Sequence, residues 1–103
     1  MESLETGDRL AAETQKTPNR VTLESMLSKI ETEEFIRPDC HPTMVLCILK
    51  LTNGFVLVGK SAPADPENFK ELLGQKFARE DAIRQMWPFE GYALRERMME
   101  EPE

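Results

Sequence analysis

Residues 43–61 read TMVLCILKLTNGFVLVGKS. Two apolar runs, MVLCILKL and FVLVG, flank Thr52-Asn53-Gly54, and an Asn-Gly pair between such runs is the strongest local signal for a tight β-hairpin. The spacing predicts that the two runs pair directly, with both central turn residues at positive φ. Along the first strand, roughly Thr43 to Leu51, the residues Met44, Leu46 and Ile48 point one way and Val45, Cys47, Leu49 and Leu51 the other. Both faces are apolar, so both need a cover. A helix can supply one. An isolated hairpin is marginal in water and leaves its edges open. The second face therefore calls for another copy of the chain in a homo-oligomer, or for an extra strand drawn from residues 36–42.

Downstream, Asp65-Pro66 opens a helix: Asp65 is a good N-cap, Pro66 suits the first turn where its missing N–H is harmless, and Glu67 favours the dipole. Phe69, Leu72, Leu73, Phe77, Ile83 and Met86 then form an apolar stripe at helical spacing, expected to lie on the hairpin. Gly74 inside that helix costs about 1 kcal/mol relative to Ala, which points to a close approach by a neighbouring element. Trp87-Pro88 ends or bends the helix, and Phe89, Tyr92 and Leu94 mark a short C-terminal helix packed back on the core. Upstream, Leu23, Met26, Leu27 and Ile30 recur at helical spacing behind the cap residue Thr22, predicting a helix from about Leu23 to Phe35 that Arg37-Pro38 terminates.

The expected fold class is α+β: a small antiparallel, hairpin-based sheet packed by an N-terminal helix, a long central helix and a short C-terminal helix, in an oligomer. Residues 1–20 have few large apolar side chains and read as a flexible N-terminal arm, residues 21–98 as one α+β domain, and residues 99–103 as a frayed acidic tail. A chain of 103 residues holds one core. Its formal net charge of −6 and lack of a clustered basic surface argue against DNA or RNA as a partner. No apolar run is long enough for a membrane span, and the first twenty residues are too polar for a signal peptide, so a cytoplasmic location is expected.

Chemistry-bearing residues are sparse. Cys40, His41 and Cys47 offer only three metal ligands, with Cys47 inside a strand, so no metal and no other cofactor is expected. Asp65, Glu67, Glu80 and Asp81 are explained by helix caps and solvated faces more simply than by acid–base work. Ser61 has no evident base and His41 precedes a proline in a loop, so no catalytic residue is assigned and the protein is not expected to be an enzyme. A ligand site has firmer footing. The segment Gly59 to Asp65 brings small residues, a hydroxyl and a lysine to a helix N-terminus, where free amides favour anions. Phe55 could stack a base, and Arg79 and Arg84 could reach phosphates. The simpler alternative is that Phe55 is core and both arginines pair with surface glutamates.

The strings TMVLCILKLTNGFVLVGKSA, DPENFKELLGQKFAREDA and WPFEGYALRERM, in this order, resemble a family of small tailed-phage proteins first catalogued from enterobacterial podoviruses. The likeness covers about Thr22 to Met98. It departs at Pro63, where a small residue, often cysteine, is expected after Ser-Ala. The same pattern looks like the first type of Thoeris anti-defence protein, a phage sponge that captures a cyclised ADP-ribose signal, and in some members cyclic oligonucleotides, without cleaving them. The resemblance implies an oligomer acting by sequestration in the cytoplasm of an infected bacterium. Its implied ligand residues are Phe55 for stacking, Arg79 and Arg84 for phosphate or base face, and Ser61, Asp65 and Asn68 for polar contacts. Two competing readings are an acidic accessory protein that binds and blocks a host protein, and a structural oligomer without a ligand.

Overall fold

The computed structural model describes Met1–Glu100, so the expected tail lies outside the described residues from position 101 onward. The elements are α1 (Glu2–Glu13), α2 (Leu23–Ser28), β1 (Ile30–Ile36), β2 (Val45–Leu51), β3 (Val56–Ser61) and α3 (Glu71–Glu100). The three strands form one antiparallel sheet in the order β1-β2-β3, and α3 lies across its inner face. The fold is α+β, as the residue pattern implied.

The hairpin forms where expected, but its turn differs in detail. Leu51 N–H donates to the carbonyl of Phe55 at 2.8 Å, and Gly54 alone takes a positive φ, +89°. Asn53 stays at negative φ and accepts the Phe55 N–H on Oδ1 at 3.0 Å. This is a three-residue connection with Gly at the left-handed position, which suits the strand twist as well as the two-residue turn does.

The helix expected from Leu23 to Phe35 stops at Ser28. Its start is as predicted, since Ser25 N–H donates to Thr22 Oγ1 at 3.0 Å. Residues 30–36 leave the helix to pair with β2, with Phe35 opposite Cys47 and Glu34 opposite Ile48. The third strand thus comes from residues 30–36, not 36–42. Pairing satisfies the second edge of β2, and Ile30, Thr32, Phe35 and Ile36 suit a pleated surface better than a helix interior. Local helical spacing over one turn was overridden by the ladder.

The residues expected to form a flexible arm contain α1, which docks on the core through the buried Leu4. Asp8 fixes the dock: its Oδ1 accepts the Leu23 N–H at 3.0 Å and the Arg20 guanidinium at 2.8 Å. The Met1 ammonium donates to Glu80, an otherwise buried carboxylate on α3.

At the other end, Asp65 caps as expected, accepting the Glu67 N–H at 3.0 Å, but what it caps is a single 3-10 turn, Pro66–Asn68. α3 begins only at Glu71 and then continues through Pro88 to Glu100, so the described residues contain no separate C-terminal helix. A proline inside a helix costs about 3 kcal/mol. Contacts on both sides hold the helix through it: Met86 is fully buried, Glu90 takes the Lys29 ammonium at 2.7 Å, and Phe89 meets Phe55 edge to face at 5.1 Å.

The core joins Val45, Cys47, Leu49 and Leu57 of the sheet to Ala78, Ala82, Ile83 and Met86 of α3, with Leu23 and Met26 of α2. The helix lies so close that a Cβ on Gly59 would sit 2.1 Å from the Ala78 carbonyl oxygen and 2.5 Å from the Ala82 nitrogen. Gly74 is similarly constrained, since a Cβ there would sit 2.7 Å from a Val45 methyl, which accounts for a glycine inside the helix.

Two outcomes follow. Gly59→Ala overpacks backbone against backbone and lowers unfolding free energy by about 1–3 kcal/mol or more in urea titration, whereas Gly91→Ala, with open space around it, raises it by about 1 kcal/mol. The second concerns pH. The Leu23 amide first and the Arg20 guanidinium second hold the Asp8 carboxyl below its ordinary 3.8. Its contribution to α1 docking is complete above that value and is lost as pH falls through the lowered one. Fluorescence of Trp87, which lines a hollow with Leu4, Gly7 and Asp8 of α1, stays constant from neutral pH to about 4 and shifts only below, while Asp8→Asn shows the shift at neutral pH.

Candidate functional site

The line Gly74-Ala78-Ala82-Met86, at four-residue spacing, faces the sheet and sets the rotation of α3. The adjacent line Phe77-Asp81-Gln85 consequently runs along the free edge of β3. Asp81 Oδ2 accepts the Lys60 N–H at 2.9 Å, and Gln85 Nε2 donates to the Val58 carbonyl at 2.8 Å. These side chains close part of an edge that would otherwise offer bare backbone to another strand.

Phe77, one turn earlier, reaches past the end of β3 and is 50% exposed. A cavity of about 290 Å³ lies between it, Ser61, Asn68, Phe69 and Lys70. A second hollow of about 460 Å³ shares Phe77, Ser61 and Ala62 and extends to Lys60 and Met44. On its other flank Phe77 borders a third hollow with Lys76 and Arg84. Among the described residues, Lys60, Lys70 and Lys76 have no acidic partner within ion-pair distance. Cations, a hydroxyl and an amide thus line the hollows on either flank of Phe77, a set suited to a planar, anionic, hydroxylated molecule.

The six ligand residues named from sequence do not converge. Ser61 and Asn68 line the same cavity. Asp65 spends its carboxylate on the Glu67 amide, and the turn it caps is too short to act as a helix N-terminus for an anion. Phe55 lies elsewhere, beside Phe89 over a hollow of about 150 Å³. Arg79 Nε is paired to Glu33 of β1 at 2.9 Å, and Arg84 donates to Ser3 Oγ of α1. Phe77, Lys70 and Lys76 were missed, and Lys60 was noted only as the lysine of the Gly59–Asp65 segment. Phe77 had been assigned to the buried stripe because it is large and apolar; Leu72 and Leu73 of that stripe are exposed as well. The small residues at positions 74, 78 and 82 were the signal that a different line faces the sheet.

Pro63, the departure noted in the sequence, lies on the wall of the first cavity. Nearby, Arg37 stacks over Phe69 at 4.6 Å and donates to the Pro42 carbonyl at 2.7 Å, bracing that aromatic wall. The described residues contain no cluster of three metal-ligating side chains, and no helix among them is long and apolar enough to cross a membrane.

One long helix on a three-stranded antiparallel sheet, with an aromatic, cation-ringed hollow where the last strand hands over to the helix, defines the structural class. Over residues 21–98 the chain matches the Phage protein (N4 Gp49/phage Sf6 gene 66) family, and it belongs to that family. α1 precedes the matched residues. Searches of curated proteins and of solved structures gave no match.

The cysteines differ sharply in environment. Cys40 is exposed in the β1–β2 connection; Cys47 is buried on the inner face, and burial pushes its thiol up to about 11. A disulfide-exchange reagent at pH 8 is expected to modify one thiol per chain quickly and the second only on unfolding. Two fast thiols in the folded protein would contradict the burial of Cys47.

Proposed function

We infer that the protein sequesters a cyclic nucleotide signal of the cyclised ADP-ribose type, without cleaving it, in the cytoplasm of the bacterium its phage infects. The observation that carries this reading is Phe77: a half-exposed aromatic bordering three hollows, with unpaired lysines around it. Phe77 supplies the stacking surface for a base. Lys60 and Lys70 supply charge for phosphates, and Ser61 and Asn68 supply hydrogen bonds to ribose or base edges. Such a set binds tightly yet offers no nucleophile paired with a base, which suits capture rather than turnover.

The resemblance to Thoeris anti-defence proteins supports the same ligand class, while the residue roles shift from those first expected. Phe77 replaces Phe55, and the lysines replace Arg79, whose Nε already serves Glu33, while Arg84 borders the hollow on the other flank of Phe77. A host-protein blocker is the competing role, and the same experiment separates the two.

Calorimetric titration with cyclised ADP-ribose isomers and cyclic di- and trinucleotides is expected to give saturable binding to one of them, with intact ligand recovered after heat denaturation. Phe77→Ala, at an exposed position, lowers that affinity about fivefold or more, given base–aromatic stacking of about 1–3 kcal/mol. Phe55→Ala leaves it unchanged. An absence of binding across the panel would shift the assignment to a protein-blocking role, and equal affinity in Phe77→Ala would displace the site.

A further inference from the structure

β1 and β3 are the two edges of the sheet, and they are finished differently. The phase of the ladders decides which backbone groups each edge presents. Leu51 N–H bonds back to Phe55, so the odd-numbered residues of β2 exchange hydrogen bonds with β3 and the even-numbered ones with β1. Across the pairs Thr32↔Lys50, Glu34↔Ile48 and Ile36↔Leu46, the even-numbered residues of β1 therefore spend their backbone groups on β2. Glu33 and Phe35 turn their N–H and C=O groups to the open edge. The same phase turns Val58 and Lys60 outward on β3, where Gln85 takes the Val58 carbonyl and Asp81 the Lys60 N–H. β1 has no such cap: among the described residues, no hydrogen bond from outside the ladder reaches its backbone.

Charge marks the same edge. Glu31, Thr32, Glu33 and Glu34 are all exposed. Arg79 balances Glu33, and Lys50 meets Glu31 only as an exposed pair at 3.7 Å, worth little. Glu34 has no cationic partner within ion-pair distance among the described residues. Acids on an edge strand repel strands of their own kind and admit basic ones. No strand of this chain qualifies as the occupant: β2 is paired on both sides, the edge of β3 is capped, and a second β1 would set glutamate against glutamate. Nucleic acid is repelled by the same acids.

We propose that the open edge of β1 takes up an extended, basic segment of another protein as a fourth, antiparallel strand. Glu33 and Phe35 exchange backbone hydrogen bonds with the incoming chain. Glu34, between them, faces its new neighbour at a non-hydrogen-bonded position, where side chains lie closest, and selects Lys or Arg there. Phe35, half-buried against the core, offers an apolar neighbour on the other face. The favoured segment thus alternates basic and apolar residues. The irregular step between Ile30 and Thr32 ends the usable edge on one side. This docking is independent of the ligand hollow beside Phe77.

Amide-resolved NMR of the full chain tests it, with the blocked peptide Ac-Lys-Val-Lys-Val-Lys-Val-NH2 as probe and its Glu-Val counterpart as control. In the protein alone, the Glu33 and Phe35 amides are expected to exchange with solvent faster than the Lys60 amide. The Lys-Val peptide shifts the Glu33 and Phe35 amides saturably and slows their exchange; the Glu-Val peptide does neither. Glu34→Lys, at an exposed position, weakens the Lys-Val peptide about fivefold or more. Protection of Glu33 and Phe35 before any peptide is added would overturn the proposal, because the edge would already be occupied. Shifts that miss β1, or that persist with the Lys-Val peptide N-methylated at every residue, would overturn it as well, since they would mark charge attraction without strand pairing.

Discussion

The structure depends on how closely α3 approaches the sheet at Gly59. Backbone meets backbone there, with the Ala78 carbonyl and the Ala82 amide filling the space a side chain would occupy. Contact this close fixes both the height and the rotation of the helix, because only the line 74-78-82 is slim enough to face the strands. The rest follows from that rotation. Asp81 and Gln85 come within hydrogen-bond reach of the β3 edge, Arg79 is directed across to Glu33 on β1, and Phe77 is carried past the end of β3 into solvent. A larger residue at Gly59 would lift the helix and disturb the core, the capped edge and the hollow together.

That dependence explains what the sequence could disclose. The β2–β3 hairpin was legible because its signals are local: alternating apolar runs and a glycine that the turn requires at positive φ. The Thr22 and Asp65 caps were legible for the same reason. β1 was not, since Leu23, Met26, Leu27 and Ile30 carry genuine helical spacing and only the ladder to β2 converts residues 30–36 into strand. Nor was the course of α3 through Pro88, where a local penalty is offset by contacts with Lys29 and Phe55, residues distant in the chain. The N-terminal segment looked structureless because it is polar; one leucine and one aspartate suffice to dock it.

The site was less legible than the fold, and the cause is again the rotation of the helix. Reading the largest apolar residues as the buried stripe placed Phe77 inside, although it is the residue that shapes the hollow. Ser61 and Asn68 come to line one cavity because they flank the strand-to-helix junction in sequence as well as in space. Arg79 and Arg84 were chosen for their chemistry, but chemistry does not reveal which cations are already engaged. Arg79 is paired with Glu33, whereas Arg84 holds only the Ser3 hydroxyl and, like the three lysines around Phe77, has no acidic partner within ion-pair distance among the described residues.

An acidic protein is an unlikely-looking host for an anionic ligand until the distribution of its charge is considered. Many of its acids are held in place: Glu33 by Arg79, Glu80 by the chain's own ammonium, Glu90 by Lys29, and Asp8 by Arg20. Others lie on β1 and at the far end of α3, while Asp65, Glu67 and Glu71 flank the junction where Lys60 and Lys70 stand. At physiological ionic strength exposed charges fade over about 8 Å, so a bound phosphate responds to its nearest lysines more than to the total. On the proposed function, the acidic remainder acts at longer range against nucleic acid, while the shape of the hollow beside Phe77 selects among small anions.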